Sequence, residues 1–345
     1  MAHTLHWPLL AAGLTLVTAG LAQSVTTAGA PYPNTEQFGT PVARDAPWFQ
    51  ACLWVDSGRP PAASPALPAS CQSFDYYDKL AQTSTSDAEW AGVRACALTA
   101  QDNAVLAMLY ANGLGVPRDL DLATLYVCRA GGAPAELRGR VEHVQALKTA
   151  GSGQRFDQCD DATSGYMMGV CSSIADGQAE KVRHAYLVRL RQQLPAQQVQ
   201  AFDALLAATR ALAQARGKET DMSGTGRAAF AIQAEAGEKE WLREHLAAFE
   251  KGHAALPPAQ QFAGADAALN RAYQALMGAA TDRDAPDRLP GSTVTNTDVR
   301  AAQRAWLAAR DAWVRFAALR YPAIAPDSLK AAFTDWRSKQ LRRMR

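Results

Sequence analysis

The stretch Val299–Tyr321, VRAAQRAWLAARDAWVRFAALRY, decides the fold. Val299, Ala302, Trp306, Ala309, Trp313 and Phe316 recur at alternating spacings of three and four, which puts them on one helical face. Arg300, Arg304, Asp311 and Arg315 point elsewhere, and Asp311 with Arg315 makes a favourable pair one turn apart. The stripe Trp306, Trp313, Phe316 reads as core rather than as a ligand platform. An earlier stretch echoes this one. Arg210-Ala211 aligns with Arg304-Ala305, and Ala215-Arg216 with Ala309-Arg310; farther out Trp241 aligns with Trp336, Leu246 with Leu341 and Tyr186 with Tyr273. Matches in order, on helices of similar length, predict an internal duplication over 155–253 and 260–345.

Outward from these helices the composition agrees. Ala is abundant, Gly and Pro fall mainly between periodic segments, and β-branched runs are rare, so the chain is predicted to be all-α. Its 345 residues are enough for two or three small domains. The formal net charge of +2 gives no reason to expect nucleic-acid or membrane binding. The charge is unevenly spread: residues 23–154 carry about −3, residues 155–253 about −1 and the remainder about +6.

The first 22 residues read as a secretory signal, with an apolar run from Leu9 to Leu21 and small residues at Gly20-Leu21-Ala22. Residues 23–46 read as a flexible lead-in rich in Thr, Pro, Gly and Ala. No other segment is apolar enough to span a membrane, so the mature chain is expected in the periplasm or outside the cell. Cysteine usage fits export. The six cysteines all lie in the first half, and an even number in an exported chain suggests three disulfides, for which 15 connectivities exist. No pair has C-x-x-C spacing, so no metal site is indicated. Cys52 and Cys71 bracket a loop with four prolines, Ser57–Ser70, and a bond closing that loop is the economical pairing.

From Asp87 the chain reads as helical hairpins over 47–150. Ser86 or Asp87 can cap a helix carrying Trp90, Val93 and Cys96. In Asn103–Ala130, Leu106, Ala107 and Tyr110 share a face, Gly113 and Gly115 end the helix, and Asp119 can cap the next. Leu106, Ala107, Tyr110, Gly113, Gly115, Val116, Asp119, Ala123 and Ala130 resemble a Sel-one-like repeat, a relative of the tetratricopeptide repeat. The resemblance covers about one and a half repeats, and fewer than three cannot stabilise a solenoid by stacking alone. A staple between helices, Cys96 to Cys128, is therefore expected. The segment Glu136–Leu147 is the next predicted helix.

The pair Cys159 and Cys171 in 155–253, and the elements Leu269-Asn270 with Tyr273 and Ala302–Asp311 in 260–345, give these paired units a resemblance to the LprI-like family, named for a lysozyme-inhibitor lipoprotein. The first unit carries Cys159 and Cys171, which the resemblance implies are bonded. The second carries Leu269, Asn270 and Tyr273, then Ala302, Gln303, Arg304, Trp306, Leu307, Arg310 and Asp311. The family's usual Cys after that Asp is absent here, and the first unit has Leu212 and Gly217 where the second motif has its Trp and Asp.

No catalytic constellation emerges. His143, His184, His245 and His253 each stand alone, and every Cys is consumed by a proposed bridge. Asp160-Asp161 precede a predicted helix, whose dipole they suit, while Asp282, Asp284 and Asp287 share a loop with no helical frame. Gly151/Gly153 and Gly224/Gly226 lack the strand and the third Gly of a dinucleotide fingerprint. No cofactor is implied and no enzyme is expected. The terminal SKQLRRMR suits a helix C-terminus. A contact with the anionic membrane face or with cell-wall polymer is the other use for those cations.

The resemblance implies inhibition of a lysozyme-type muramidase by occlusion of its sugar cleft. Two segments are the candidate contact loops: Asp157–Cys171, with Asp160 and Asp161, and Met222–Arg227, with Ser223, Gly224, Thr225, Gly226 and Arg227. The +6 portion would repel a basic lysozyme, which favours the first unit as the contact surface. The alternative is a periplasmic scaffold that holds a partner protein on the Sel-one-like hairpins. Truncation separates the two, because inhibition is expected to survive loss of residues 47–150 and scaffolding is not.

Overall fold

The computed structural model describes residues 43–57, 71–150, 153–279 and 286–344. The expected signal and most of the lead-in, like residues 58–70, Asp282 and Asp284, lie outside the described residues. The helices are α1 (Pro47–Val55), α2 (Asp75–Leu80), α3 (Asp87–Ala100), α4 (Asn103–Asn112), α5 (Leu120–Ala130) and α6 (Pro134–Ala146). They continue with α7 (Gly165–Gln192), α8 (Ala196–Lys218), α9 (Arg227–Glu250), α10 (Phe262–Met277), α11 (Asn296–Arg320) and α12 (Pro326–Arg342). Among the described residues there is no strand, only an isolated bridge between Arg288 and Thr295. The fold is all-helical, and none of its described helices is long and apolar enough to cross a membrane.

Helices α1–α6 enclose one hydrophobic core. Its punctuation is chemical. Ser86 and Glu89 form a reciprocal cap on α3. The Asp102 carboxylate accepts from the Val105 N–H at 3.1 Å and starts α4. Gly113 (φ +66°) ends α4 in the left-handed region, and Asp119 caps α5 by accepting from the N–H groups of Asp121 and Leu122. Gly115 has φ +63°, and a Cβ there would lie 2.2 Å from the Cβ of Trp90. The turn is thus seated on α3, an approach only glycine allows. Tyr110 and Tyr126 stack across α4 and α5 with centroids 5.6 Å apart.

The disulfides correct two expected pairings. Cys52 bonds Cys128, not Cys71, and Cys71 bonds Cys96, so the Cys96–Cys128 staple is not formed. The reason lies in helix packing. α5 packs on α1, α4 and α6, which turns Cys128 toward Cys52; α3 packs on α2 and α4, which leaves Cys96 beside the chain entering α2. Cys159 and Cys171 are bonded to each other, with Cα atoms 5.6 Å apart.

A second core gathers α7–α12. The six residues of the α11 stripe, Val299 to Phe316, are at most 1% exposed. Trp313 meets Phe249, Trp241 and Phe333 edge-on, and Phe316 packs on Phe202. α8 lies along α11, α9 packs on α7 and α8, and α12 packs on α10 and α11. The helices before and after residue 253 therefore share one core. Asp311 pairs with Arg310 at 3.0 Å rather than with Arg315, because the Arg310 guanidinium is already held over the Trp306 ring, 5.1 Å from its centroid.

This core also buries a polar network. Arg337, on α12, donates through Nη1 and Nη2 to both carboxylate oxygens of Glu219 at 2.8 and 2.7 Å, and both side chains are fully buried. Gln303 accepts from Arg337 Nε at 3.0 Å, and Arg216 pairs with Glu219 and with Glu238. Burial raises the Glu238 carboxyl above the usual range, opposed by Arg216.

Candidate functional site

Two places collect the residues singled out from sequence. The first is the end of the molecule where α7 and α9 begin. α7 starts at Gly165, so the expected Asp157–Cys171 loop stops at Ser164 and its last residues are helical. The Ser164 hydroxyl accepts from the Met167 N–H at 3.2 Å and fixes that start. What remains of the loop is tied to the first core. Buried Glu136 on α6 accepts from the N–H groups of Thr163 and Ser164 at 2.9 and 2.7 Å, and Asn112 exchanges two hydrogen bonds with the Phe156 backbone. The Tyr77 hydroxyl donates to Asp157 at 3.1 Å, and burial pushes both groups' pKa values up. Asp161 contacts Nδ1 of His143 at 3.1 Å, which leaves Asp160 as the exposed carboxylate.

The segment 222–227 is exposed apart from Gly226. Asp221 forms its hinge, accepting from Ser223 N–H at 3.0 Å and from the N–H and hydroxyl of Thr293 at 3.3 and 3.0 Å. Those bonds, led by the Ser223 N–H, hold the Asp221 carboxyl at about 2. The Met222 N–H donates to the Thr293 hydroxyl at 2.6 Å, so the turn before α11 anchors the segment.

The two candidate loops meet. Gly165 lies so close to Thr225 that a Cβ on it would sit 2.0 Å from the Thr225 carbonyl oxygen, and a Cβ on Gly169 would contact Ala228. Around this junction Tyr166 is 79% exposed, Phe230 51% and Met222 47%. Tyr166 and Met222 fall within the two candidate segments, whereas Phe230 lies outside both. The available signal is the GxxxG spacing Gly165–Gly169, which brings α7 close to α9 and lifts Tyr166 outward.

The second place is a groove of about 320 Å³ between α10 and α11. Leu269, Asn270 and Tyr273 form one wall; Gln303, Arg304 and Trp306 come from the other. The two motif elements, separate in sequence, therefore converge. Leu269 and Trp306 are buried at 1% and form the floor, while Asn270 and Arg304 are exposed at the rim. Asn270 donates to Asp266 at 3.0 Å. Arg310 and Asp311 do not line it; they pair with each other beside Trp306. Asp266 and Arg300 were missed, though each sits one helical turn before a motif residue. Among the described residues no cluster of His, Cys, Asp and Glu could hold a metal ion.

Residues 258–341, the stretch that builds α10, α11 and α12, match the family model described as Lysozyme inhibitor LprI. No curated protein and no solved structure matches the chain.

Proposed function

We propose that this is an exported, non-catalytic binding protein of the cell envelope that inhibits a lysozyme-type muramidase by blocking its sugar cleft. The observation that carries the reading is the match of residues 258–341 to the lysozyme-inhibitor model. Residues 155–253 would be a second, diverged copy. In its support, α9 braces α7 and α8 as α12 braces α10 and α11, and α8 lies along α11. Arg183, Thr209 and Arg210 also line a groove between α7 and α8 where Asn270, Gln303 and Arg304 line the one between α10 and α11.

The inhibitory surface would be the junction of 157–164 with 222–227. It offers what a cleft carrying two catalytic carboxylates recognises: exposed donors on Ser223, Thr225 and Arg227, set among Tyr166, Met222 and Phe230. Its anchoring to Thr293 links it to the matched segment. A pre-ordered loop loses little conformational entropy on insertion.

The test is lysis of purified cell walls by several lysozyme types with the full oxidised chain present. The expected result is dose-dependent inhibition, weakened about tenfold or more by Arg227→Glu with Tyr166→Ala, as for loss of interface anchors. Absence of inhibition against every lysozyme sinks the reading and leaves the scaffold role of α3–α6 to lead. Truncation at residue 150 is a poor discriminator, because Glu136 and Asn112, which hold residues 156–164, would go with it.

A further inference from the structure

We propose that the groove between α10 and α11 is a binding site for a small ligand carrying an oxyanion, a carboxylate or a phosphate, on a polar body. Arg300 and Arg304 stand one turn apart on α11, both exposed and both on the groove. Arg304 has no carboxylate within ion-pair distance among the described residues, and the nearest one to Arg300, Asp287, stands 4.0 Å away. Two guanidinium forks on one rigid helix are suited to bidentate capture of an oxyanion.

The rest of the groove supplies a body site. Asn270 presents an amide at the opposite rim, Tyr273 is half-buried beside it, and Leu307, 39% exposed, adds an apolar edge. Trp306 floors it, and its indole N–H is buried with no partner among the described residues. A buried donor left unpaired is unfavourable, so a ligand that reaches it gains a compensated hydrogen bond. The volume, about 320 Å³, falls at the lower end of small-molecule sites.

The groove between α7 and α8 makes the contrast. It is similar in size, about 330 Å³, but two of its three guanidinium groups are matched by carboxylates, Arg191 with Asp203 and Arg183 with Asp176 and Glu180, leaving Arg210. Its floor is apolar, with Leu187, Leu206 and Leu242. The α10/α11 groove is lined by two guanidinium groups and a single carboxylate, Asp266, and neither guanidinium is held by a carboxylate that lines the groove. This assignment does not depend on muramidase inhibition, since none of the residues lining the groove belongs to the two candidate contact loops.

Titration calorimetry of the full oxidised chain tests it with three probes: glucuronate, inorganic phosphate and neutral glucose. Saturable binding of glucuronate or phosphate is expected, with glucose silent. Glucuronate binding the tighter assigns a sugar acid, and phosphate the tighter assigns a phosphate ester. Arg304→Gln should weaken binding about tenfold, and Asp266→Asn should tighten it a few-fold by removing the opposing charge. Both side chains lie at the groove rim, so neither change threatens the core. No binding of either anion, or binding untouched by Arg304→Gln with Arg300→Gln, overturns the assignment.

Discussion

At the residue scale the most consequential contact is the Arg337–Glu219 pair. Each group is wholly buried, and each is held by the other through two hydrogen bonds. The pair joins the C-terminal end of α8 to α12 across the core, so it selects one way of docking the two. Buried ion pairs add little net stability, but removing one member strands a charge. Glu219→Gln should therefore lower unfolding stability by about 3–5 kcal/mol. Replacing both, Glu219→Leu with Arg337→Met, should cost less than the single change. Urea unfolding of both variants measures this. A double variant as unstable as Glu219→Gln would show that packing, not the stranded guanidinium, sets the cost.

At the element scale the turn between α4 and α5 is the most constrained part of the first core. Gly115 must adopt φ +63° and must let Trp90 approach, so Gly115→Ala combines backbone strain with a clash that neither partner can relieve by rotating. The expected loss is roughly 2–4 kcal/mol, from the two effects together. Gly177→Ala, on an open face of α7, should instead stabilise by about 0.5–1 kcal/mol through helix propensity. Thermal unfolding of the two variants should move in opposite directions, and a neutral Gly115→Ala would refute the argument. The same turn shows what a sequence can disclose. Gly113, Gly115 and Asp119 act locally, each through its own backbone, and the α11 stripe repeats with the helix period, so both could be read directly. Disulfide partners could not. Spacing does not say that α5 faces α1, and only that packing brings Cys128 to Cys52. The loop from Asp157 was drawn too long because its end is held from outside: Glu136 on α6 accepts from the Thr163 and Ser164 N–H groups, a contact that spacing does not disclose. The groove lining was half legible: the motif residues were named, but their convergence depends on how α12 braces α10 and α11, and Asp266 and Arg300 gain meaning only there.

At the scale of the whole molecule, crosslinks and cores are unevenly shared. Cys52–Cys128 and Cys71–Cys96 both lie within the core of α1–α6, while α8–α12 contain no cysteine at all. Cys159–Cys171 sits between, closing the loop that leans on α6. The two bonds of the first core span 76 and 25 residues, for which loop-closure entropy gives about 4.5 and about 3.5 kcal/mol respectively. That sum is comparable to the whole stability of a small domain, about 5–15 kcal/mol. The second core relies on apolar burial around Trp306, Trp313 and Phe316 and on the Glu219–Arg337 network, none of which a reductant touches. Reduction should therefore unfold the molecule in parts. Hydrogen exchange followed by mass spectrometry, with and without a thiol reductant, should show α1–α6 losing protection by orders of magnitude while α8, α11 and α12 keep theirs. Residues 157–164 should loosen with the first group, because their anchors Glu136 and Asn112 belong to it. Inhibition by the reduced protein should then fall although the second core stays folded. Uniform loss of protection would mean that the two cores unfold as one unit, and would remove the basis for assigning the disulfides to the first alone.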